Sequence, residues 1–135
     1  MFSVWKTRSL RRFRRAEGGG ATIEFMLWIP IFVALLTGAV DVGTIFAHKS
    51  NYWSVARDTA RQVARHAMTP AQARTYAEEQ ATLGSTVPSV TVERTTNDVT
   101  VSISGSATTI AAFGVFQIFD GQQISARVTY ALEPT

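Results

Sequence analysis

The pattern of apolar and polar positions begins with a long apolar run. Residues 20–40 contain one ionisable side chain, Glu24. At about 1.5 Å rise per residue, a helix of this length spans roughly 31 Å, close to the hydrocarbon thickness of a bilayer. The apolar pattern continues past Asp41, so we predict a transmembrane helix over residues 20–47. Pro30 lies inside it and lacks a backbone donor, which predicts a kink.

The next region, residues 48–83, has the period of amphipathic helices. Between Asn51 and Ala67 one face is apolar, and Arg57, Arg61 and Arg65 repeat every four residues on the opposite face. An arginine stripe of this kind is typical of a solvated helix face. It also fits a docking surface for an acidic neighbouring subunit, and the pattern leaves both interpretations open.

A second amphipathic helix is predicted after a break in the pattern. Thr69 suits the N-cap position, because its hydroxyl can accept a hydrogen bond from the first turn. Pro70 suits the first helical position, where no backbone donor is needed. The helical pattern extends to about Leu83, and Gly84 and Ser85 then end it.

Residues 84–135 change to the period of two that is typical of half-buried strands. Strands are predicted at 90–92, 99–103 and 124–132, with a turn at Asn97 and Asp98 joining the first two. The sequence therefore predicts an α+β fold: a long N-terminal transmembrane and amphipathic helix, a second short helix and a small antiparallel three-stranded sheet.

The connection between the second and third predicted strands, residues 106–120, is unusually apolar. We expect one or two helical turns in it. Its large apolar side chains either close over the core or contact a neighbouring subunit. Those side chains recur at helical spacing and are Ile110, Phe113, Phe116 and Phe119.

Charge is concentrated at the N-terminus. The net charge of the chain is +3, yet residues 1–19 carry six basic side chains against one acidic side chain. The remaining chain is therefore net acidic. A basic arm directly before an apolar helix predicts a cytoplasmic N-terminus by the positive-inside rule, and we expect no nucleic-acid partner.

Catalytic chemistry is not predicted. His48 and His66 belong to no metal-spacing motif, and we expect each of them at the surface near a helix end. The chain contains no cysteine, which excludes disulfides and thiolate ligands. We expect neither an enzyme nor a bound metal or cofactor.

Glu24 is the most informative residue. An ionised carboxylate within hydrocarbon costs several kcal/mol, so such residues are usually paired or neutralised and functional. A position at the headgroup level, with no partner, would also explain a carboxylate so close to the start of the run. Its position in the run leaves both explanations open.

The segment RRFRRAEGGGATIEF around Glu24 resembles the processing region of type IV prepilins. In those proteins a peptidase cleaves after a glycine, and glutamate is the fifth residue of the mature chain. Counting back from Glu24 then predicts cleavage between Gly19 and Gly20. Glu24 and Phe25 correspond to the Glu-Tyr pair of pilins from the tight-adherence (Tad) system, with Phe in place of Tyr.

The longer run GATIEFMLWIPIFVALLTGAVDVG resembles the TadE/TadG-like family of that system. The matching positions are Glu24, Phe25, Pro30, Gly38 and Gly43, and Asp41 stands where glutamate is common. The resemblance implies a minor pilin or pseudopilin of a Tad pilus, needed for pilus assembly, adhesion and surface attachment.

This resemblance also implies a division of the chain. Residues 1–19 would be a cleaved leader, 20–47 the transmembrane helix, 48–83 the amphipathic helices and 84–135 a small β-rich region. The protein would lie in the bacterial inner membrane with its C-terminal part in the periplasm, and in the extracellular pilus after assembly. Its partners would be prepilin peptidase, other pilin subunits and the assembly platform.

The role implied for Glu24 is subunit pairing. Cleavage would create a new α-amine at Gly20, and Glu24 of a neighbouring subunit would form an ion pair with it, beside Phe25. Two alternatives remain open at this point. One is an unprocessed single-span adaptor of the assembly platform, and the other is a secreted soluble domain released from an ordinary signal peptide.

Overall fold

A computed structural model describes residues 19–114 and 121–134 of the chain. The α+β class is confirmed: a long N-terminal helix, a short helix and a three-stranded antiparallel sheet follow one another along the sequence. In chain order the elements are α1 (Gly19–Ala64), α2 (Pro70–Ala81), β1 (Ser89–Arg94), β2 (Asp98–Ser106), α3 (Ala107–Ile110) and β3 (Gln123–Ala131).

Helix α1 is longer than the predicted transmembrane helix. It runs without a break from Gly19 to Ala64, so the predicted transmembrane and first amphipathic helices are one element. Within the described part of the chain it is the helix that is long and apolar enough to cross a membrane. Pro30 lies inside α1, and the missing N–H removes one intrahelical hydrogen bond there.

The described residues fall into two compact units that divide between Leu36 and Thr37. In the first unit, the large apolar side chains from Ile23 to Leu36 are 43–68% exposed. A helix with apolar side chains exposed on all sides is typical of a membrane span. The second unit begins at Thr37, about three helical turns before residue 47, where the transmembrane helix is predicted to end.

In the second unit, one face of α1 is buried and the opposite face is exposed. The buried positions recur every three or four residues, as expected for one side of an α-helix. Six of them, from Tyr52 to Ala64, belong to the hydrophobic core that also contains residues of α2 and the sheet. The buried positions of α1 are Gly38, Asp41, His48, Tyr52, Val55, Ala56, Thr59, Ala60, Val63 and Ala64.

Helix α1 ends in a Schellman motif. The Ala67 N–H donates to the Gln62 carbonyl and the His66 N–H donates to the Val63 carbonyl, both at 3.0 Å. His66 takes the left-handed backbone conformation, with φ of 57°, that this motif requires. The helix therefore ends at Ala64, whereas the apolar pattern of the sequence continues to Ala67.

Helix α2 begins as predicted. Thr69 is its N-cap and forms a capping box with Gln72, and Pro70 follows at the first helical position. The helix ends at Ala81, slightly before the predicted end at Leu83. Three alanines at four-residue spacing, Ala73, Ala77 and Ala81, form its buried side, and their small size allows close approach to the rest of the core.

The sheet has the strand order β1-β2-β3, and both pairs are antiparallel. The predicted hairpin between β1 and β2 is confirmed. Its turn is closed by the Thr95 N–H, which donates to the Asp98 carbonyl at 2.8 Å. One face carries the buried side chains Val90, Val101 and Ile103. The opposite face is polar, with a 2.9 Å hydrogen bond between the Thr100 and Thr129 hydroxyls.

The connection after β2 contains the predicted helical turn, α3. Ile110 at its end is buried in the core, whereas Phe113 is 63% exposed. Of the two alternatives given for these side chains, packing in the core is therefore correct for Ile110 and wrong for Phe113. Phe116 and Phe119 lie outside the described residues.

Candidate membrane-anchor and subunit-assembly site

The predicted processing and pairing residues lie at the start of α1. The bond between Gly19 and Gly20 falls at the first two residues of the helix. A β carbon at Gly20 would meet no atom within 4 Å, so contacts within the subunit do not require a glycine there.

Glu24 lies one turn further along α1, and it is exposed. Among residues 19–114 and 121–134 it has no hydrogen-bond or ion-pair partner. The neighbouring Phe25 is 64% exposed. A carboxylate without a partner, within a segment of exposed apolar side chains, requires water, headgroups or a cation from elsewhere. Glu24 is therefore not engaged by any of the residues that the structure describes.

The three arginines of the predicted stripe have different surroundings in the structure. Arg65 Nε lies 3.3 Å from Glu133 Oε1, and both side chains are more than half exposed, so this ion pair contributes little to stability. Arg57 and Arg61 form no ion pair within the described part of the chain. They line an open groove of about 400 Å³ with Ser50, Trp53, Ser54, Asp58 and Tyr130.

Asp58 lies between the two groove arginines in sequence, but its carboxylate is engaged elsewhere. Its Oδ2 accepts hydrogen bonds from Gln62 Nε2 at 2.8 Å and from the Tyr76 hydroxyl at 2.9 Å. The second bond joins α1 to α2, and it raises the pKa of the Tyr76 phenol above its ordinary value. Asp58 also lines the groove, so two arginines face one aspartate there and the groove is net positive.

Asp41 has a role that the sequence did not indicate. Its side chain is fully buried, and its Oδ1 accepts a 2.7 Å hydrogen bond from the Phe113 N–H. This bond attaches the connection after α3 to α1. One feature of the sequence could have indicated that Asp41 is buried. Its spacing from Gly38 and His48 places all three residues on one side of a helix.

The prediction for His48 is wrong. Its residue surface is only 6% exposed, because it lies on the buried side of α1. Its ring makes an edge contact with Tyr52, with ring centres 6.1 Å apart. His66 is exposed just after the end of α1, as expected. No cluster of three or more potential metal ligands occurs among the residues that the structure describes.

These features define a class: an α+β protein built on one long N-terminal helix whose first part is apolar enough to cross a membrane. Residues 19–65 match the protein family described as TadE-like. The predicted resemblance is thereby confirmed over residues 19–65, where the chain is similar to TadE-like proteins. The match begins beside the predicted cleavage site and ends at Arg65, one residue after the end of α1. No curated protein and no solved structure matches the chain.

Proposed function

We propose that this protein is a minor pilin or pseudopilin of a Tad-type pilus, matured by prepilin peptidase between Gly19 and Gly20. The TadE-like match over residues 19–65 supports the connection to the Tad system. The observation that carries the specific role is Glu24, an exposed carboxylate with no partner among the described residues, on an apolar helix.

The proposed mechanism is assembly through a charge pair. Cleavage creates an α-amine at Gly20, and Glu24 of a neighbouring subunit binds it in an environment of low dielectric constant. Breaking a buried pair by removing one partner costs about 3–5 kcal/mol. A subunit docked in the wrong register would incur this cost, so the pair selects one register.

The role proposed for the second unit is structural and non-catalytic. In this scheme the basic leader stays in the cytoplasm, α1 anchors the subunit in the inner membrane, and the sheet lies in the periplasm until assembly. Arg57 and Arg61 supply a cationic groove for an acidic surface of a neighbouring subunit. Adhesion and surface attachment follow from incorporation into the pilus.

N-terminal sequencing of the protein from its native membrane tests this proposal. A chain that begins at Gly20 is the expected result. An intact N-terminal arm would instead support an unprocessed single-span adaptor. A chain that begins near Val40 would indicate a secreted domain cut by an ordinary signal peptidase, and either of these results contradicts maturation as a pilin.

A further inference from the structure

We propose that the free edge of β3 is a strand-addition site. An extended acidic segment of a neighbouring subunit pairs antiparallel with β3 there, and its carboxylates bind Arg57 and Arg61. The proposal rests on the function proposed above and specifies the partner of the cationic groove: an extended strand, recognised through the backbone of β3 as well as through charge.

The strand β3 lies at one edge of the sheet, because β2 is its neighbour on one side and the described residues supply no strand on the other. It has nine residues and contains no proline. The other edge strand, β1, has six residues, directly follows Pro88 and is contacted by α2. Short strands, prolines and covering helices protect sheet edges from further pairing. The less protected edge is therefore that of β3.

The hydrogen bonds at the two ends of β3 determine which of its backbone groups point to the free edge. The Ala107 N–H donates to the Gln122 carbonyl. The Leu132 N–H donates to the Asn97 carbonyl. Both pairs continue the β2–β3 register, and hydrogen-bonded pairs alternate with pairs whose N–H and C=O groups point away from the partner strand. The residues of β3 whose backbone groups point to the free edge are therefore Gln123, Ser125, Arg127, Thr129 and Ala131.

The pair formed by Thr100 and Thr129 supports this assignment. Side chains lie closer together in pairs without backbone hydrogen bonds, and these two hydroxyls are 2.9 Å apart. Within the described part of the chain, the edge-facing backbone groups of β3 form no further hydrogen bond. A row of unpaired N–H and C=O groups is a template for another strand.

Tyr130 connects the free edge with the cationic groove. It belongs to β3, and its side chain also lines the groove with Arg57 and Arg61. Because side chains alternate across a strand, Tyr130 lies on the opposite face of the sheet from Thr129. Side chains directly opposite each other in an antiparallel pair lie on the same face. A residue added opposite Tyr130 therefore directs its side chain toward the groove.

Charge complementarity selects an acidic segment. Arg57 and Arg61 are exposed and form no ion pair within the described part of the chain. The carboxylate of Asp58 already accepts hydrogen bonds from Gln62 and Tyr76. Carboxylates on the added strand bind the two arginines through charge-assisted hydrogen bonds. In strand addition, the backbone bonds supply affinity and such side-chain contacts supply specificity.

A second copy of this chain fits the edge less well. Two β3 strands paired antiparallel along their full length meet at their middle residue, Arg127. This arginine then lies opposite its own equivalent, and like charges directly opposite each other destabilise a strand pair. The occupant is therefore an acidic strand of another sequence.

The test uses the isotope-labelled full chain in detergent micelles and nuclear magnetic resonance of its backbone amides. The probe is a synthetic peptide, equal in length to β3, in which threonine alternates with glutamate. In the proposed pairing the threonines donate their N–H groups to β3 and the glutamates face the groove. We expect the peptide to shift the amide resonances of Ser125, Arg127 and Thr129 and to slow their hydrogen exchange. Changes at Ile124 and Ala126 should be smaller, because their N–H groups already bond to β2.

Two N-methylated peptides distinguish strand addition from a purely electrostatic contact. Methylation of the threonine nitrogens removes the donors that face β3 and should weaken binding roughly tenfold or more. Methylation of the glutamate nitrogens leaves those donors in place and should weaken binding much less.

A charge exchange tests the groove. A peptide with lysine in place of glutamate should bind the natural chain several-fold more weakly than the acidic peptide does. The double variant Arg57→Glu and Arg61→Glu should reverse this preference, which also shows that the variant keeps its fold.

Equal binding of the two N-methylated peptides, or the opposite preference, would overturn the proposal. Resonance changes confined to α1 would also overturn it, because they would show attraction between charges without strand pairing. Protection of the edge-facing amides in the chain alone, together with sedimentation as a dimer, would identify a second copy as the occupant and contradict the proposal as well.

These outcomes are separate from the test of the proposed function. A native chain that begins at Gly20, together with a peptide that does not bind, contradicts the strand-addition site and leaves the proposed function intact. An intact N-terminal arm contradicts maturation as a pilin, whatever the peptide does.

Discussion

Tyr52 of α1 and Gly105 of β2 lie so close together that the strand has no space for a side chain at this position. A β carbon on Gly105 would lie 2.7 Å from the Tyr52 hydroxyl and 3.1 Å from Ile110 Cδ1. Tyr52 is fully buried, and its hydroxyl has no hydrogen-bond partner in the described part of the chain. The absence of a side chain at Gly105 therefore lets the buried Tyr52 ring lie directly against β2.

We predict that Gly105→Ala lowers the free energy of unfolding of the full chain by about 1–3 kcal/mol, because the added methyl group overpacks the contact. Tyr52→Phe should be nearly neutral, since it removes a buried hydroxyl that lacks a partner. Thermal unfolding in detergent, followed by near-ultraviolet circular dichroism, measures both. Gly43→Ala is the matched control, because a β carbon there meets no atom within 4 Å.

The double variant tests the contact directly. In the Tyr52→Phe background, Gly105→Ala should cost clearly less, because the nearest atom is gone and only the Ile110 contact remains tight. Additive effects of the two substitutions would contradict a direct steric contact between these residues.

The hydrogen bond between Asp41 and Phe113 supports a second prediction. Asp41→Ala removes the acceptor of the Phe113 N–H, and we expect a loss of about 1–3 kcal/mol of stability. Asp41→Asn retains an acceptor oxygen and should lose less. Hydrogen exchange of the peptide containing Phe113 should accelerate in Asp41→Ala and change little in Asp41→Asn. Equal acceleration in both variants would show that the charge of Asp41, and not its acceptor oxygen, holds the loop.

Glu24→Ala should leave cleavage of the leader largely intact and impair incorporation into pili. The reason is that the substitution removes the proposed partner of the Gly20 amine but leaves the glycine cluster unchanged. Immunoblots of sheared pilus and membrane fractions measure the distribution of the subunit. Incorporation at the wild-type level would contradict the pairing mechanism.

Gly19→Leu should block maturation, because a branched side chain at the scissile bond restricts the extended backbone that a peptidase cleft requires. The precursor would then accumulate with lower gel mobility. Gly43→Leu introduces the same side chain away from the proposed site, on an open surface of α1, and should be cleaved normally. Cleavage of Gly19→Leu at an unchanged rate would exclude this bond as the processing site.

Reversal of charge in the cationic groove gives a fifth prediction. Arg57→Glu together with Arg61→Glu should reduce incorporation into pili while leaving membrane levels unchanged, because both side chains are exposed and form no ion pair among the described residues. Arg127→Glu is the control on the outer face of the sheet. If all the substitutions have equal effects, net charge and not the groove is responsible.

The sequence predicted an element well where residues close together in the chain stabilise that element. The capping box joins Thr69 to Gln72, three residues away, so the start of α2 can be recognised from adjacent residues. The alternation of apolar and polar side chains identified all three strands, although β2 extends further at its C-terminal end, to Ser106. The resemblance of residues 11–25 to the processing region of type IV prepilins gave the candidate processing site, because that resemblance depends on the short sequence spacing between Gly19, Gly20 and Glu24.

The sequence by itself determined the apolar helix, its one carboxylate near the start, the second helix and the strands. Only the tertiary structure decided which side of α1 is covered after Thr37, because that depends on contacts between distant segments. Asp41 and Phe113 are 72 residues apart, and no local period connects them. The segments that pack on this side of α1 bury His48. Phe46, two residues earlier, stays exposed because residues two apart in a helix lie on nearly opposite sides of it.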